Sequence, residues 1–192
     1  MAYFKKLAGK RIYLSPINPE DAETYAKWIN DLDVSIYLTS APRIYSLQKE
    51  QEILGHMARE GYCFAIIDSE KDKLIGNIGL EDVDLIDRKA VLGIFIGDKE
   101  YWSKGYGTEA IELLLDFSFN LLNLNSIMLI VHAFNKRAIR CYEKCGFKLI
   151  GKRREGYIIG TEKFDEYYMD ILASEFKKNN ILEMVKELCS EK

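Results

Sequence analysis

The chain has 192 residues, enough for one domain with a sizeable core. Hydrophobic residues make up 48% and charged residues 30%, with a net charge of −3 spread along the chain. That mixture belongs to a globular protein in water, and the absence of a basic stripe argues against nucleic acid as a partner.

The N-terminal MAYFKKLAGKRIYL carries cations but no apolar stretch behind them, which predicts no signal peptide. Arg11–Ser15 reads as a strand, with Pro16 and Pro19 marking a turn. Asp21 to Asn30 has Ala22, Tyr25, Ala26 and Ile29 at helical spacing. Ser46 caps a second helix, SLQKEQEILGHMA. Tyr62–Asp68, Leu74–Leu80 and Lys89–Ile96 read as strands separated by turns at 71–73 and 82–87. Tyr101–Gly107 is a glycine-bearing loop, and Thr108–Leu122 is a helix apolar almost all round, as a buried helix is. Ser126–His132 is an apolar strand suited to a covered position. Asn135–Lys144 is an amphipathic helix stopped at Gly146. Lys148–Gly151, Glu155–Ile159 and Tyr167–Leu172 supply the last strands, and Asn180–Cys189 a terminal helix with Ile181, Val185 and Leu188 on one face. The three prolines all fall in the first quarter and no linker follows, so a single domain over 1–192 is expected, with its core at about 11–172. The order predicts an α/β (α+β) fold, a mixed sheet with helices on both faces.

No apolar run is long enough to cross a bilayer, so no membrane partner is expected. Cys63, Cys141, Cys145 and Cys189 form no CxxC pair, and reduced thiols in a cytoplasm are the simple reading. Cys141, Cys145 and His132 lack further ligands at usable spacing, so no metal is expected.

The sharpest feature is KGYGTE, Lys104 to Glu109, between a strand and an apolar helix. Gly105 and Gly107 let the backbone approach a ligand, and the N–H groups and dipole of the helix start favour an anion such as a pyrophosphate. The loop is neither a P-loop nor a dinucleotide fingerprint, because the spacing of glycines and lysine differs. A plain strand–turn–helix junction is the alternative reading. Downstream, Asn135, Ala138 and Tyr142 share one face of a helix. Asn135 suits either an N-cap or a ligand contact, and Tyr142 either core packing or chemistry.

WSKGYGTEA, then a helix, a strand and NKRAIRCYEKCGF, resembles the GNAT acetyltransferases. RIYLSPINPEDAETYAKWIN, IGNIGLEDVDLIDRKAVLGIFIGD and the ending YYMDIL extend the resemblance over about Arg11 to Leu172. The branch it resembles holds the Rim-type ribosomal-protein N-terminal acetyltransferases and the spermidine acetyltransferases. One departure is Trp102, which stands where many members have Gln or Arg. The resemblance implies a mostly antiparallel sheet with a splayed parallel strand pair that admits acetyl-CoA, and no metal. It implies that backbone N–H groups of Lys104, Gly105, Tyr106, Gly107 and Thr108 hold the pyrophosphate, with Lys104 adding charge. Leu92–Ile96 would pair with the pantetheine arm as an added strand does, and an N–H near Phe95 or Ile96 would polarise the thioester carbonyl. Asn135 would contact the cofactor, and Tyr142 would protonate the departing thiolate.

The expected reaction is direct attack of a neutral primary amine on the thioester, without an acyl-cysteine at Cys141 or Cys145. Glu81 and Asp82 are the candidate bases, with a solvated turn as their alternative, and His132 a further one. The acceptor is a protein N-terminus or a small amine: a polyamine, an amino sugar or an antibiotic. Glu50, Glu52, Glu81, Asp82 and Asp84 can attract a cation. However, Tyr37–Arg43 (YLTSAPR) replaces the acidic patch associated with spermidine enzymes. An acyl-CoA sensor without turnover is the rival outside the enzyme class, and retention of Tyr142 and both glycines weighs against it. The terminal helix and twelve tyrosines offer a homodimer surface.

Overall fold

The computed structural model describes residues 3–190. The single-domain reading over 1–192 therefore includes four residues, 1–2 and 191–192, that lie outside the described residues. In chain order the elements are β1 (Leu7–Ala8), β2 (Ile12–Pro16), α1 (Ala22–Ile29), α2 (Leu32–Ser35), α3 (Leu47–Glu60), β3 (Cys63–Asp68), β4 (Lys73–Asp84) and β5 (Lys89–Ile96). They continue with α4 (Tyr106–Asn120), β6 (Ser126–His132), α5 (Lys136–Lys144), β7 (Lys148–Ile159), β8 (Glu162–Leu172) and α6 (Asn180–Ser190).

The local chemistry explains most boundaries. Ser46 caps α3 by accepting a hydrogen bond from the Lys49 N–H, and Gly61 ends the helix at φ 82°. Asn135 caps α5, and Gly146 follows it at φ 97°. Several elements differ from the sequence reading, among them the unforeseen short strand β1 and β8, which begins at Glu162 rather than Tyr167. The four-residue helix α2, capped by Asp31, is too short to show a periodic pattern. β4 runs on through Glu81 and Asp82 to Asp84, so the turn shrinks to 85–88. α4 starts at Tyr106, because the Glu109 N–H already bonds the Gly105 carbonyl, and ends at Asn120. β7 is one strand rather than two, its register shifting by bulges against β8.

The eight strands hydrogen-bond in the order β1-β2-β3-β4-β5-β6-β8-β7. β1/β2, β2/β3, β3/β4, β6/β8 and β7/β8 are antiparallel. β5/β6 is parallel, and its ladder runs only from Lys89↔Ser126 to Val91↔Met128, although β5 continues to Ile96. The expected mixed, mostly antiparallel sheet is thus present, and its parallel pair stops pairing where β5 still has five residues left.

By contacts the chain divides into two compact units. The first holds the residues up to Gly79 together with Ile94–Ala110, and the second Leu80–Gly93 with the residues from Ile111 onward. In the first, Tyr13, Ile17, Ala22, Tyr25, Leu54, Ala65, Ile67 and Leu74 form a core cluster, flanked by Trp28, Met57 and Phe95. Gly76 is required there: a Cβ would lie 2.2 Å from the Phe95 carbonyl oxygen. In the second, Ile111, Leu114 and Leu115 of α4 are fully buried, as are Ile127 and Ile171. Each such side chain contributes about 1.5–3 kcal/mol. α6 has no buried residue, and its Val185 and Leu188 are exposed. It is tied down at its start by the Ile181 N–H donating to Asp116, next to an ion pair of Lys178 with Glu112 at 2.6 Å.

Candidate functional site

In the first unit the glycine loop is held from several sides. Gly105 sits at φ 87°, a conformation natural to glycine, and an added Cβ would lie 3.2 Å from the Arg11 guanidinium. Arg11 Nη1 donates to the Lys104 carbonyl at 2.9 Å, and its Nε to Glu109 Oε2 at 3.0 Å. Glu109 Oε1 accepts the N–H groups of Lys10 and Arg11 at 2.7 and 2.8 Å. Burial alone would raise the Glu109 carboxyl, but the Arg11 and Lys10 hydrogen bonds outweigh it and hold the group below the usual carboxylate range. The Arg11 guanidinium lies over the Tyr106 ring, 4.6 Å from its centroid, and Tyr106 meets Tyr101 edge-on at 4.9 Å. Tyr101 in turn donates to buried Asp68 at 2.7 Å. The first turn of α4 opens at Tyr106 and Gly107, where helical N–H groups have no intrahelical acceptor, and Lys104 is exposed beside it. Lys104 to Thr108 thus form a braced start to a helix, the kind of helix end whose free N–H groups and dipole favour an anion.

The end of β5 lies in the same unit. Phe95 and Ile96 are half-buried. The Trp102 indole donates to the Ile96 carbonyl at 2.7 Å, and Tyr37 meets the Trp102 ring edge-on at 6.5 Å. The residue that departs from the family pattern therefore anchors the last residue of β5. Arg11 and Glu109 were not legible as loop braces, because they are 98 positions apart and carry no local signal.

The second unit holds the other expected site residues. Asn135 is buried and accepts the Ala138 N–H at 3.1 Å, so its carbonyl oxygen serves as the cap. Tyr142 is 8% exposed and meets Phe147 edge-on at 5.9 Å. Its hydroxyl takes no hydrogen-bond partner among the described residues, and burial keeps the phenol well above its ordinary pKa. Cys141 and buried Cys145 lie a helical turn apart and bond to each other, and that hydrogen bond together with burial pushes the Cys145 thiol up. Glu81 and Asp82 are exposed within β4 rather than in a turn, Asp82 at φ 48°. His132 is buried between Tyr157 and Phe134, with its Nδ1 unpartnered and 3.8 Å from Glu166. Burial lowers its pKa. Among the described residues no cluster of three or more His, Cys, Asp or Glu is arranged to hold a metal, and no helix is long and apolar enough to cross a membrane.

A family model described as an acetyltransferase (GNAT) domain matches residues 11–148, a span containing both the glycine loop and Tyr142. This chain belongs to the GNAT acetyltransferase family. The probable N-acetyltransferase YjcK of Bacillus subtilis is 31% identical over 86% of this chain and 96% of its own length. The uncharacterized N-acetyltransferase p20 of Bacillus licheniformis is 28% identical over 88% of this chain and 97% of its own. Among solved structures, the spermidine N-acetyltransferase of Vibrio cholerae in complex with CoA and spermine is similar with a TM-score of 0.78. It is 28% identical over 87% of this chain and 98% of that one. The GNAT membership makes the chain an acetyl-CoA-dependent acetyltransferase. The spermidine half of the expected branch is matched by the Vibrio cholerae enzyme, while the Rim-type half rests on the sequence resemblance alone.

Proposed function

We propose that this GNAT protein works as a single domain that transfers the acetyl group of acetyl-CoA to a small primary amine of the polyamine class, in the cytoplasm. The braced glycine loop carries the reading: Gly105 at φ 87° opens α4, and Arg11 and Glu109 hold the turn rigid before any ligand arrives. Backbone groups of Lys104, Gly105, Tyr106, Gly107 and Thr108 would take the pyrophosphate, with the Lys104 ammonium beside them. A rigid cradle loses little entropy on binding. The reach of β5 beyond Val91 that no longer pairs with β6 would accept the pantetheine arm, and a Phe95 or Ile96 N–H would polarise the thioester carbonyl. Asn135, whose oxygen is used in capping, has its amide nitrogen left for the cofactor.

Tyr142 would protonate the leaving thiolate. Its unpartnered phenol stays protonated at any working pH, and an apolar surrounding that raises the phenol also makes an unsolvated thiolate a stronger base. A spermidine enzyme among the similar structures supports a polyamine over the protein N-terminus, amino sugar or antibiotic. Thiol release from acetyl-CoA, measured against spermidine, free-N-terminal peptides and amino sugars, tests this. The expectation is turnover on spermidine, slowed about 100-fold in Tyr142→Phe. Turnover restricted to peptides would refute the polyamine assignment.

A further inference from the structure

We propose that Glu50 receives the acceptor's ammonium group and takes its proton, in place of the exposed Glu81 and Asp82; this rests on the acetyltransferase reading above. Glu50 lies on the face of α3 that also carries Leu54 and Met57, at spacings of four and three residues. Leu54 is fully buried in the core cluster and Met57 packs against it, so a carboxylate stands in line with core side chains. Glu50 is itself only 4% exposed.

The other buried acids of the described residues all have partners. Asp21 accepts from the Tyr3 hydroxyl, Asp68 from Tyr101, Asp116 from Asn120 and the Ile181 N–H, and Glu166 faces Arg153. The Glu50 carboxylate has no hydrogen bond and no ion pair among the described residues, and burial alone raises its pKa. A buried charge without a partner is costly, and a purely structural role gives no return for it. The fully enclosed polar side-chain atom lacking a partner is His132 Nδ1, not a Glu50 oxygen. The slight exposure that Glu50 retains is therefore at its carboxylate, which is open to an incoming group.

Tyr25, fully buried in the same core cluster as Leu54, feels the charges of Asp21, Tyr3, Glu50 and Cys63, contributed by the segments before α1, by α3 and by β3. All of these are neutral or anionic. The Tyr25 ring meets Trp28 at 5.5 Å and Phe95 at 6.0 Å, both edge-on, and its hydroxyl faces the Gly76 carbonyl at 3.5 Å. Leu54, one turn along α3 from Glu50, shares a core cluster with Tyr25, and Phe95, the β5 residue assigned to the thioester, packs against that cluster. Acid and aromatic surface together suit an organic ammonium.

In the step, Glu50 takes one proton from R–NH3+. The freed nitrogen lone pair forms the C–N bond and the C–S bond breaks, its electron pair leaving on sulfur. Tyr142 protonates that sulfur, and the second nitrogen proton returns through solvent to the tyrosinate. The products are the N-acetyl amine, CoA thiol and a proton held by Glu50.

The test is the pH profile of kcat/KM for spermidine and for a free-N-terminal peptide, with acetyl-CoA binding measured alongside by calorimetry. For the better acceptor, Glu50→Gln is expected to lose about 100-fold in kcat/KM and the acidic limb of the profile. Its acetyl-CoA Kd should stay within about twofold of wild type, below the tenfold that about 1.4 kcal/mol would produce. Glu50→Asp should keep the limb at reduced rate, and Glu52→Gln, on the exposed side of α3, should match wild type. Because the folded state holds the Glu50 pKa high, its ionised form destabilises the fold above the unfolded pKa. Glu50→Gln should therefore melt no lower than wild type at pH 8. A Glu50→Gln profile matching wild type, or a limb that disappears in Glu81→Gln/Asp82→Asn instead, overturns the proposal alone. A large fall in melting temperature with activity that Glu50→Asp does not restore marks a structural carboxylate and also overturns it. A wild-type chain that binds no acetyl-CoA overturns the acetyltransferase reading itself, and the proposal with it.

Discussion

Replacing Glu109 with glutamine removes the charge that ties the start of β2 to the glycine loop. The carboxylate accepts two backbone N–H groups at 2.7 and 2.8 Å and the Arg11 Nε at 3.0 Å. Glutamine keeps one acceptor oxygen and no charge. Hydrogen bonds to a charged group contribute about 1.5–3 kcal/mol each. The Arg11 side chain is half-exposed, which discounts the ionic part through solvent screening. A net loss of about 1.5 kcal/mol follows, or about 3–6 °C in Tm for a domain of this size. The pH dependence has a definite sign. The folded-state pKa of Glu109 is held low, so its stabilisation is fully present above the unfolded value of about 4.3 and disappears as pH falls through the folded one. Differential scanning fluorimetry of both proteins from pH 8 to pH 3 should show the gap at neutral pH closing below about pH 4. Because Arg11 also holds the Lys104 carbonyl, acetyl-CoA affinity should fall about tenfold at pH 7, the equivalent of about 1.4 kcal/mol. No Tm gap at pH 7, or a gap unchanged down to pH 3, would refute the brace.

Other perturbations bear on different links. Leu114→Ala, at a fully buried position of α4, should cost about 2–5 kcal/mol in urea unfolding. His132→Phe should make the protein less sensitive to acid: burial lowers the His132 pKa, so wild type loses stability as pH falls below about 6.5 while the variant does not, a difference readable from Tm at pH 7 and pH 5. Trp102→Phe, which removes the hydrogen bond to the Ile96 carbonyl, should raise KM for acetyl-CoA more than it changes stability, read by initial rates and Tm together.

The legible parts of this protein were those with local signals. Asn135 and Gly146 bracket α5 as their cap chemistry requires, and Gly105 takes the positive φ that its place before an apolar helix suggested. The order and type of the longer elements followed from periodicity. What local pattern could not show was long-range: Arg11 reaching Glu109, Trp102 reaching back to Ile96, and a carboxylate at Glu50 that looks like an ordinary helix-surface acid yet is buried in the folded chain. Bulges hid the continuity of β7, because they break the two-residue alternation that marks a strand. Glu81 and Asp82, read as a strand end, are exposed residues within β4 because that strand continues to Asp84.

The most direct test of the central claim is calorimetric titration of acetyl-CoA into wild type and Gly105→Ala. Alanine at φ 87° strains the backbone and places a methyl group against the Arg11 guanidinium, so the cradle should lose its shape while the core of the fold persists. The account predicts saturable binding by wild type and at least about a tenfold loss in the variant, with the unfolding transition kept. Equal affinity in both proteins, or no binding by wild type, would contradict the assignment of the glycine loop to the acetyl-CoA pyrophosphate.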